Sequence, residues 1–270
     1  MMQQSKWLTF LKWIPIFLIF GFIVLPVFMV VWISFFSTSL ITFPPKGYSF
    51  KWFVELLHHQ EFMSSFLLSL KVSFFAMIIS LVLGLLGSIA LIRYDFKGRK
   101  ILELLFLSPL IVPTIITGIG IYIFLFNAER LIGIDMVPNL WALVTAHVII
   151  CIPWTVRLIS AGLLSINPSL EEAAIDLGST RTQAFVKIVL PNLRPSIIAA
   201  AILSFIHSFN NLEISLMLVR PGELTLPIEI LNYVFWKVDP LIAAVSTVQI
   251  ILIGILMWIA NKFISIGKVF

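Results

Sequence analysis

The sequence predicts an all-α integral membrane protein with six transmembrane helices, and three observations carry that expectation. Of its 270 residues, 60% are hydrophobic and only 11% charged, against about 25% charged in an ordinary soluble domain. Uncharged or nearly uncharged runs long enough to cross the roughly 30 Å hydrocarbon layer recur six times. Lysine and arginine then concentrate in alternate connections, as expected of a chain whose basic loops stay on one side of the membrane. The net charge of +5 therefore reports on topology, and no nucleic-acid partner is expected. Cys151 stands alone in an apolar run; it reads as packing. His58, His59, His147 and His207 fall in no metal-ligand spacing.

The first span is Ile14–Phe36, IPIFLIFGFIVLPVFMVVWISFF. It is too long and Phe-rich for a signal-peptide core, and reads as a retained span. The others are expected near Val72–Ile92, Leu110–Phe126, Trp141–Leu158, Ile197–Leu218 and Leu241–Ala260. Arg157 and Glu213 are placed at span edges. Lys6 and Lys12 precede span one; Arg93, Lys97, Arg99 and Lys100 fill the short turn after span two. Arg181, Lys187 and Arg194 follow span four, and Lys262 and Lys268 end the chain. This asymmetry puts both termini in the cytoplasm of a multi-pass protein of the bacterial inner (plasma) membrane. Three connections then face outward. In one, FKWFVELL reads as a short amphipathic surface helix; in another, Tyr233, Phe235 and Trp236 suit an interfacial belt. Gly84 and Gly87 allow close helix contact in span two. Pro109, Pro113 and Pro153 are candidates to bend spans or to open carbonyls beside a cavity.

The connection after span four is the most informative: INPSLEEAAIDLGSTRTQAFVKIVLPNLRP, Ile166 to Pro195. Asn167–Pro168 is a helix start, and Glu171 and Glu172 sit where a helix N-terminus favours carboxylates. Ile166, Leu170, Ala173, Ala174 and Leu177 form an apolar stripe, with Glu171, Glu172 and Asp176 facing elsewhere. Gly178 can end the helix with positive φ. Thr180 with Gln183 predicts a capping box for a second helix, burying Phe185, Ile188 and Val189 and ending at Pro191. On this physics the loop is either a pair of interfacial linker helices or a shape for docking into a cleft on a partner.

The stretch resembles the EAA loop of the membrane subunits of ATP-binding cassette (ABC) importers. The pattern, E-A-A, three residues, G, nine residues, I, one residue, L-P, is met by Glu172, Ala173, Ala174, Gly178, Ile188, Leu190 and Pro191. Gly98, Arg99 and Lys100 after span two, and LSPLIVPTIITGIG with Pro109 and Pro113, are similar to type I importer permeases. Spans two to six resemble the second permease of spermidine/putrescine importers. The resemblance implies the MetI-like permease fold over residues 1–270 as one transmembrane domain, with a cytoplasmic coupling helix in a loop of about 166–191. It implies docking on an ATPase through Glu171, Glu172, Ala173, Ala174, Gly178, Ile188, Leu190 and Pro191. It also implies the partners: a homologous second permease, two ATPase subunits, an extracytoplasmic solute-binding protein, the lipid bilayer and a small-molecule substrate. The chain has no G-x-x-x-x-G-K-[ST] sequence; no cofactor is expected on it, and ATP and Mg2+ are expected on the separate ATPase. The protein is expected to be no enzyme itself.

Span five carries HSFNNLEISLML. Polar groups at that depth face a pathway or another helix. Asn210, Asn211, Glu213 and Ser215 are the candidates for a translocation path; the competing reading is a polar lock to Lys71, Arg157 or a partner permease. In the polyamine-type relatives acids commonly stand where Asn210 and Asn211 stand here. The resemblance implies a polyamine cargo, with another small polar solute such as an amino-acid derivative as the alternative. A stand-alone secondary transporter and a non-transporting scaffold or sensor are the other classes, and the complete EAA spacing argues against both.

Overall fold

The structure is a computed structural model that describes the backbone of residues 6–263 and the side chains of residues 13–262. Lys268 and the side chains of Lys6 and Lys12, counted above among the loop charges, lie outside the described residues. Among the described residues, six helical segments are long and apolar enough to cross a membrane: Trp13–Ile33, Gln60–Arg93, Thr114–Ile132, Leu140–Ser165, Arg181–Phe209 and Pro240–Lys262.

The chain divides into two compact units. One takes the residues up to Met63 together with Ile230–Leu252. It opens with α1 (Lys6–Ile33), followed by an aromatic turn and α2 (Lys51–His58). The expected amphipathic helix is α2. Its Trp52 is buried and donates from Nε1 to the carbonyl of Phe36 at 2.6 Å. Phe36 packs edge-on against Phe43, with ring centroids 5.5 Å apart. α11 (Leu226–Trp236) runs into this unit and α12 (Pro240–Phe263) starts in it. Phe235 and Trp236 are exposed, whereas Tyr233 packs on Phe62 and donates to Asp239 at 3.0 Å. Buried Asp239 also accepts from the backbone N–H of Leu241 and pairs with Lys237 at 2.8 Å. That neighbour holds the Lys237 ammonium above its ordinary value, and burial raises the Tyr233 phenol.

The other unit takes Ser64–Glu229 and the residues from Ile253. Its elements are most of α3 (Gln60–Arg93), α4 (Arg99–Leu107), a 3-10 turn at Ser108–Leu110, α5 (Thr114–Ile132) and α6 (Leu140–Ser165). Then come α7 (Ser169–Asp176), α8 (Arg181–Ala184), a π-turn at Phe185–Val189, α9 (Leu190–Phe209) and α10 (Glu213–Leu218). The core sits around α6. Val144, Ala146, Val148 and Cys151 meet Val72 and Ala76 of α3 and Ile214 and Leu218 of α10. Nearer its C-terminus, Ile159 and Leu163 meet Val189, Leu193 and Ala200. Cys151 is buried and leans on the carbonyl of Ser204.

Small residues set how closely these helices approach. Ser80, Gly84 and Ser88 recur every four residues and so share one face of α3. Thr155 of α6 donates to the carbonyl of Ser80 at 3.0 Å, and Ser88 donates to the carbonyl of Val156 at 3.0 Å. Between them a Cβ on Gly84 would collide with the Thr155 side chain. Gly87 receives the Phe106 ring, which would lie 2.7 Å from an added Cβ. Gly162 of α6 is closed in the same way by Ser196 and Leu193 of α9. Without a hydrophobic driving force between helices in lipid, such close approach and its hydrogen bonds hold spans together.

Four expectations about the spans are corrected. Span three begins at Thr114 after Pro113 and runs past Phe126 to Ile132, where Gly133 takes φ +75°. Its polar end remains helical because Glu129 accepts from the backbone of Met136 and Val137, both at 3.1 Å. Span four continues through Arg157 to Ser165, leaving Arg157 exposed within the helix rather than at its edge. Span five is not one helix from Ile197 to Leu218; it breaks after Phe209 and restarts at Glu213. Finally, Pro191 does not end the second loop helix. The chain passes from α8 through the π-turn directly into α9. A wider turn tolerates the missing proline N–H at the first turn of α9.

Replacing Gly84 with leucine is expected to destabilise the folded protein by about 1–3 kcal/mol through overpacking on Thr155. Thermal unfolding of the purified protein in detergent measures it, and an unchanged melting temperature contradicts the close contact.

Candidate functional site: an exposed loop helix and a cavity between broken spans

The loop after span four is built as two capped pieces. Asn167 accepts from the backbone of Ser169 through Oδ1 at 3.1 Å, and Pro168 occupies the start of α7. At the far end Ser179 N–H donates to Ala174 O at 3.0 Å and Gly178 N–H to Ile175 O at 2.9 Å. This is the Schellman arrangement, with Gly178 at φ +93° in the position that needs positive φ. The capping box forms as expected: Thr180 Oγ1 accepts from Gln183 N–H at 3.2 Å, and Gln183 Oε1 accepts from Thr180 N–H at 3.0 Å. Both ends of α7 are therefore set by local chemistry.

α7 leaves much of its apolar stripe exposed. None of its residues is buried; Leu170 and Ala173 are exposed, and the flanking Leu177 is 89% exposed. Glu171, set apart from the stripe, turns inward and pairs with Arg93 at the end of α3. Glu172 is exposed and Ala174 half-buried. An eight-residue helix has little stability of its own, so this ionic contact helps to fix how α7 lies. Ile188, Leu190 and Pro191, the second half of the matched pattern, lie half-buried where the π-turn enters α9. The pattern thus has two structural parts: an exposed helix stopped by glycine, and the transition that feeds span five. Between α7, α8 and the end of α3 lies a groove of about 480 Å3, lined by Ile89, Arg93, Glu171, Ile175, Arg181 and Phe185.

A second feature lies deep among the spans. Two interruptions, at Ser108–Pro113 and at Asn210–Leu212, border a cavity of about 420 Å3. It is lined by residues Pro109 to Thr114, Ile150, His207 and Glu213. Ile150 lies about 15 Å along α6 from its start and about 22 Å from its end, at helical rise, which sets the cavity near the middle of span four. Irregular backbone at such depth persists where it is buried in protein or lines a wet cavity. Pro109 and Pro113 are thus placed beside a cavity. Pro153 is buried inside an α6 that continues past it.

The break in span five is held from both sides. Asn211 Oδ1 accepts from Ile214 N–H at 3.0 Å, capping α10. His147 of α6, 1% exposed, reaches Ser208 Oγ through Nδ1 at 2.8 Å and Ser215 Oγ through Nε2 at 3.0 Å. Ser215 Oγ donates to Asn211 O at 2.8 Å. Its hydrogen is therefore used, so Nε2 donates to Ser215 and Nδ1 accepts from Ser208. One imidazole clasps the last turn before the break and the first turn after it.

The four path candidates separate accordingly. Glu213 lines the cavity and opens α10, just past the end of the fifth apolar span at Phe209, so it stands at a span edge as expected. Asn210 is exposed, Asn211 is spent on the α10 cap, and Ser215 is fully buried in the clasp. The polar lock goes to His147, not to Lys71 or Arg157. Sequence reasoning passed over His147, Ser208 and Arg93. The signal available was a histidine in the middle of an apolar span, which has to find a partner in lipid.

Comparison with known proteins places this geometry. Residues 84–266 match the family model described as binding-protein-dependent transport system inner membrane component. The putrescine transport system permease protein PotI of Escherichia coli (strain K12) is 33% identical over 251 residues, 92% of this chain and 89% of that protein. The spermidine/putrescine transport system permease protein PotC of Haemophilus influenzae (strain ATCC 51907 / DSM 11121 / KW20 / Rd) is 27% identical over 243 residues, 90% and 92% of the two chains. In structure, a chain of a bacterial ABC transporter involved in import of the acidic polysaccharide alginate superposes with a TM-score of 0.74 at 20% identity. It covers 96% of this chain and 95% of its own.

Two substitutions probe these features. Gly178→Val is expected to cost about 1–2 kcal/mol, because a side chain disfavours the left-handed backbone. The loss is local: amide exchange over residues 169–178 accelerates, and unchanged exchange contradicts the Schellman stop. His147→Ala strips both serine hydroxyls of a buried partner and is expected to cost about 1–3 kcal/mol of stability; chemical denaturation of the purified protein reads it.

Proposed function

Since this chain belongs to the family of binding-protein-dependent transport inner-membrane components, we propose that it carries a small organic amine of the polyamine class. It is a permease subunit of an ABC importer, and the proposal concerns its cargo, its partners and its working parts. The observation that carries the cargo reading is Glu213. It lines a cavity at mid-span depth, bordered by two helix interruptions. A carboxylate so placed suits a protonated amine. The names of the relatives, putrescine and spermidine/putrescine permeases, support the same class.

In this reading the loop end of the chain is cytoplasmic, as are both termini, and α7 enters a cleft on an ATPase subunit. Its Leu170, Glu172, Ala173 and Leu177 are the exposed groups available to that partner. ATP and Mg2+ reside on two such subunits. A homologous second permease and lipid cover the first span, whose apolar window buries nothing within this chain. A solute-binding protein delivers cargo from outside. Approach of the ATPase subunits on binding ATP moves α7, and the movement passes through α6 and the π-turn to the cavity.

The test is uptake by the reconstituted importer. Putrescine and spermidine are expected to be imported, and amino acids and sugars are not. Glu213→Gln removes a charge-assisted hydrogen bond of about 1.5–3 kcal/mol, so the maximal putrescine uptake rate is expected to fall by about tenfold or more. Affinity of the binding protein for putrescine stays as it was. Full uptake by Glu213→Gln removes this carboxylate from the path.

A further inference from the structure

We propose that the Arg93–Glu171 ion pair is a second anchor of the loop helix, making span two part of the drive train between the ATPase and the cavity. The proposal rests on α7 being the joint with the ATPase, and on nothing about the cargo. By sequence α7 is attached to α6 at one end and to α8 at the other. It buries no residue of its own. It touches α8 and the π-turn, and a short helix held only on that side can swivel under load. Glu171 supplies a lateral hold by reaching Arg93, the last residue of α3.

Two details make this contact more than a surface ion pair. The side chains are only 29% and 17% exposed, and Ile89, Ile175 and Phe185 line the same groove. Partial desolvation strengthens the attraction, and removing one partner leaves the other charge uncompensated. The neighbouring Glu172 is more exposed and also borders this groove, so of the two adjacent acids Glu171 is the one that pairs with Arg93. Arg93 is moreover not at the end of a loose helix. Ser80, Gly84 and Ser88 seat α3 on Thr155 and Val156 of α6, and α6 runs on into the loop. The path α7 to α3 to α6 and back to α7 closes a triangle, and a triangulated mount transmits displacement without rotating. Arg93 and Glu171 are positioning residues in this sense; neither needs to touch ATP or solute.

The experiment uses the assembled importer with Arg93→Glu, Glu171→Arg and the double exchange. Putrescine imported per ATP hydrolysed is expected to fall about threefold or more in each single reversal, a size usual for coupling residues. It is expected to return to within about twofold of wild type when both charges are exchanged. Arg93→Gln and Glu171→Gln give the same direction should a reversal fail to assemble. Amide exchange over residues 169–178 needs no solute; it is expected to accelerate about fivefold in Arg93→Gln and to recover in the double exchange. Unchanged import per ATP and unchanged exchange in the single variants overturn the proposal, as does a double exchange no better than the worse single. A wild-type importer that ignores putrescine sinks the cargo reading alone, and the exchange result then decides the anchor by itself.

Discussion

A backbone inside hydrocarbon has no water to bond, so every interruption of a spanning helix must be caught by other groups of the protein. Around Asn210–Leu212 that constraint organises a large part of this chain. Asn211 caps the helix that restarts, and Ser215 ties itself back to the break. His147 crosses from α6 to bond the turns on both sides. The interruption is thereby affordable at mid-span depth, and it leaves Glu213 beside a cavity instead of in a continuous helix wall. The facing interruption at Ser108–Pro113 closes the other side with two prolines, residues that cannot complete a helical ladder.

The same helix, α6, serves both the break and the loop. One stretch of it clasps the break; its last turns pack on α9 at Gly162 and pass into the loop. Small residues recur at two of its contacts: Gly84 on α3 and Ser196 on α9. In water such contacts would be minor beside apolar burial. In lipid, where apolar area gains little from leaving one greasy neighbour for another, shape and hydrogen bonds decide which helices stay together. Such contacts join α6 to its neighbours from the exposed loop to the cavity several turns away.

Much of this was legible in order along the chain. The six spans follow from hydropathy alone because crossing hydrocarbon is a property of each segment by itself. The caps of the loop helices follow too: Asn167–Pro168, Gly178 and the Thr180–Gln183 box act within four residues of themselves, and all of them form. The apolar stripe of α7 left open whether it meets a partner or merely links two spans; Leu170 and Leu177 are exposed while Glu171 turns toward the chain. The contact that turned it comes from Arg93, a residue that sequence reading used only to orient the chain. Ser215 and Asn211 were grouped with Glu213 because they share a short polar stretch, yet their side chains go to a clasp and a cap while Glu213 alone of the three reaches the cavity.

The division has a physical cause. Sequence by itself determined how many times the chain crosses, where its loop helices begin and end, and the family pattern they carry. Those are consequences of solvation and of hydrogen bonds closed within one or two turns. Tertiary structure alone decided which way α7 faces, that span five is broken, and that His147 holds the pieces. Those outcomes depend on partners 61 to 78 residues away, and no local preference encodes which distant side chain arrives.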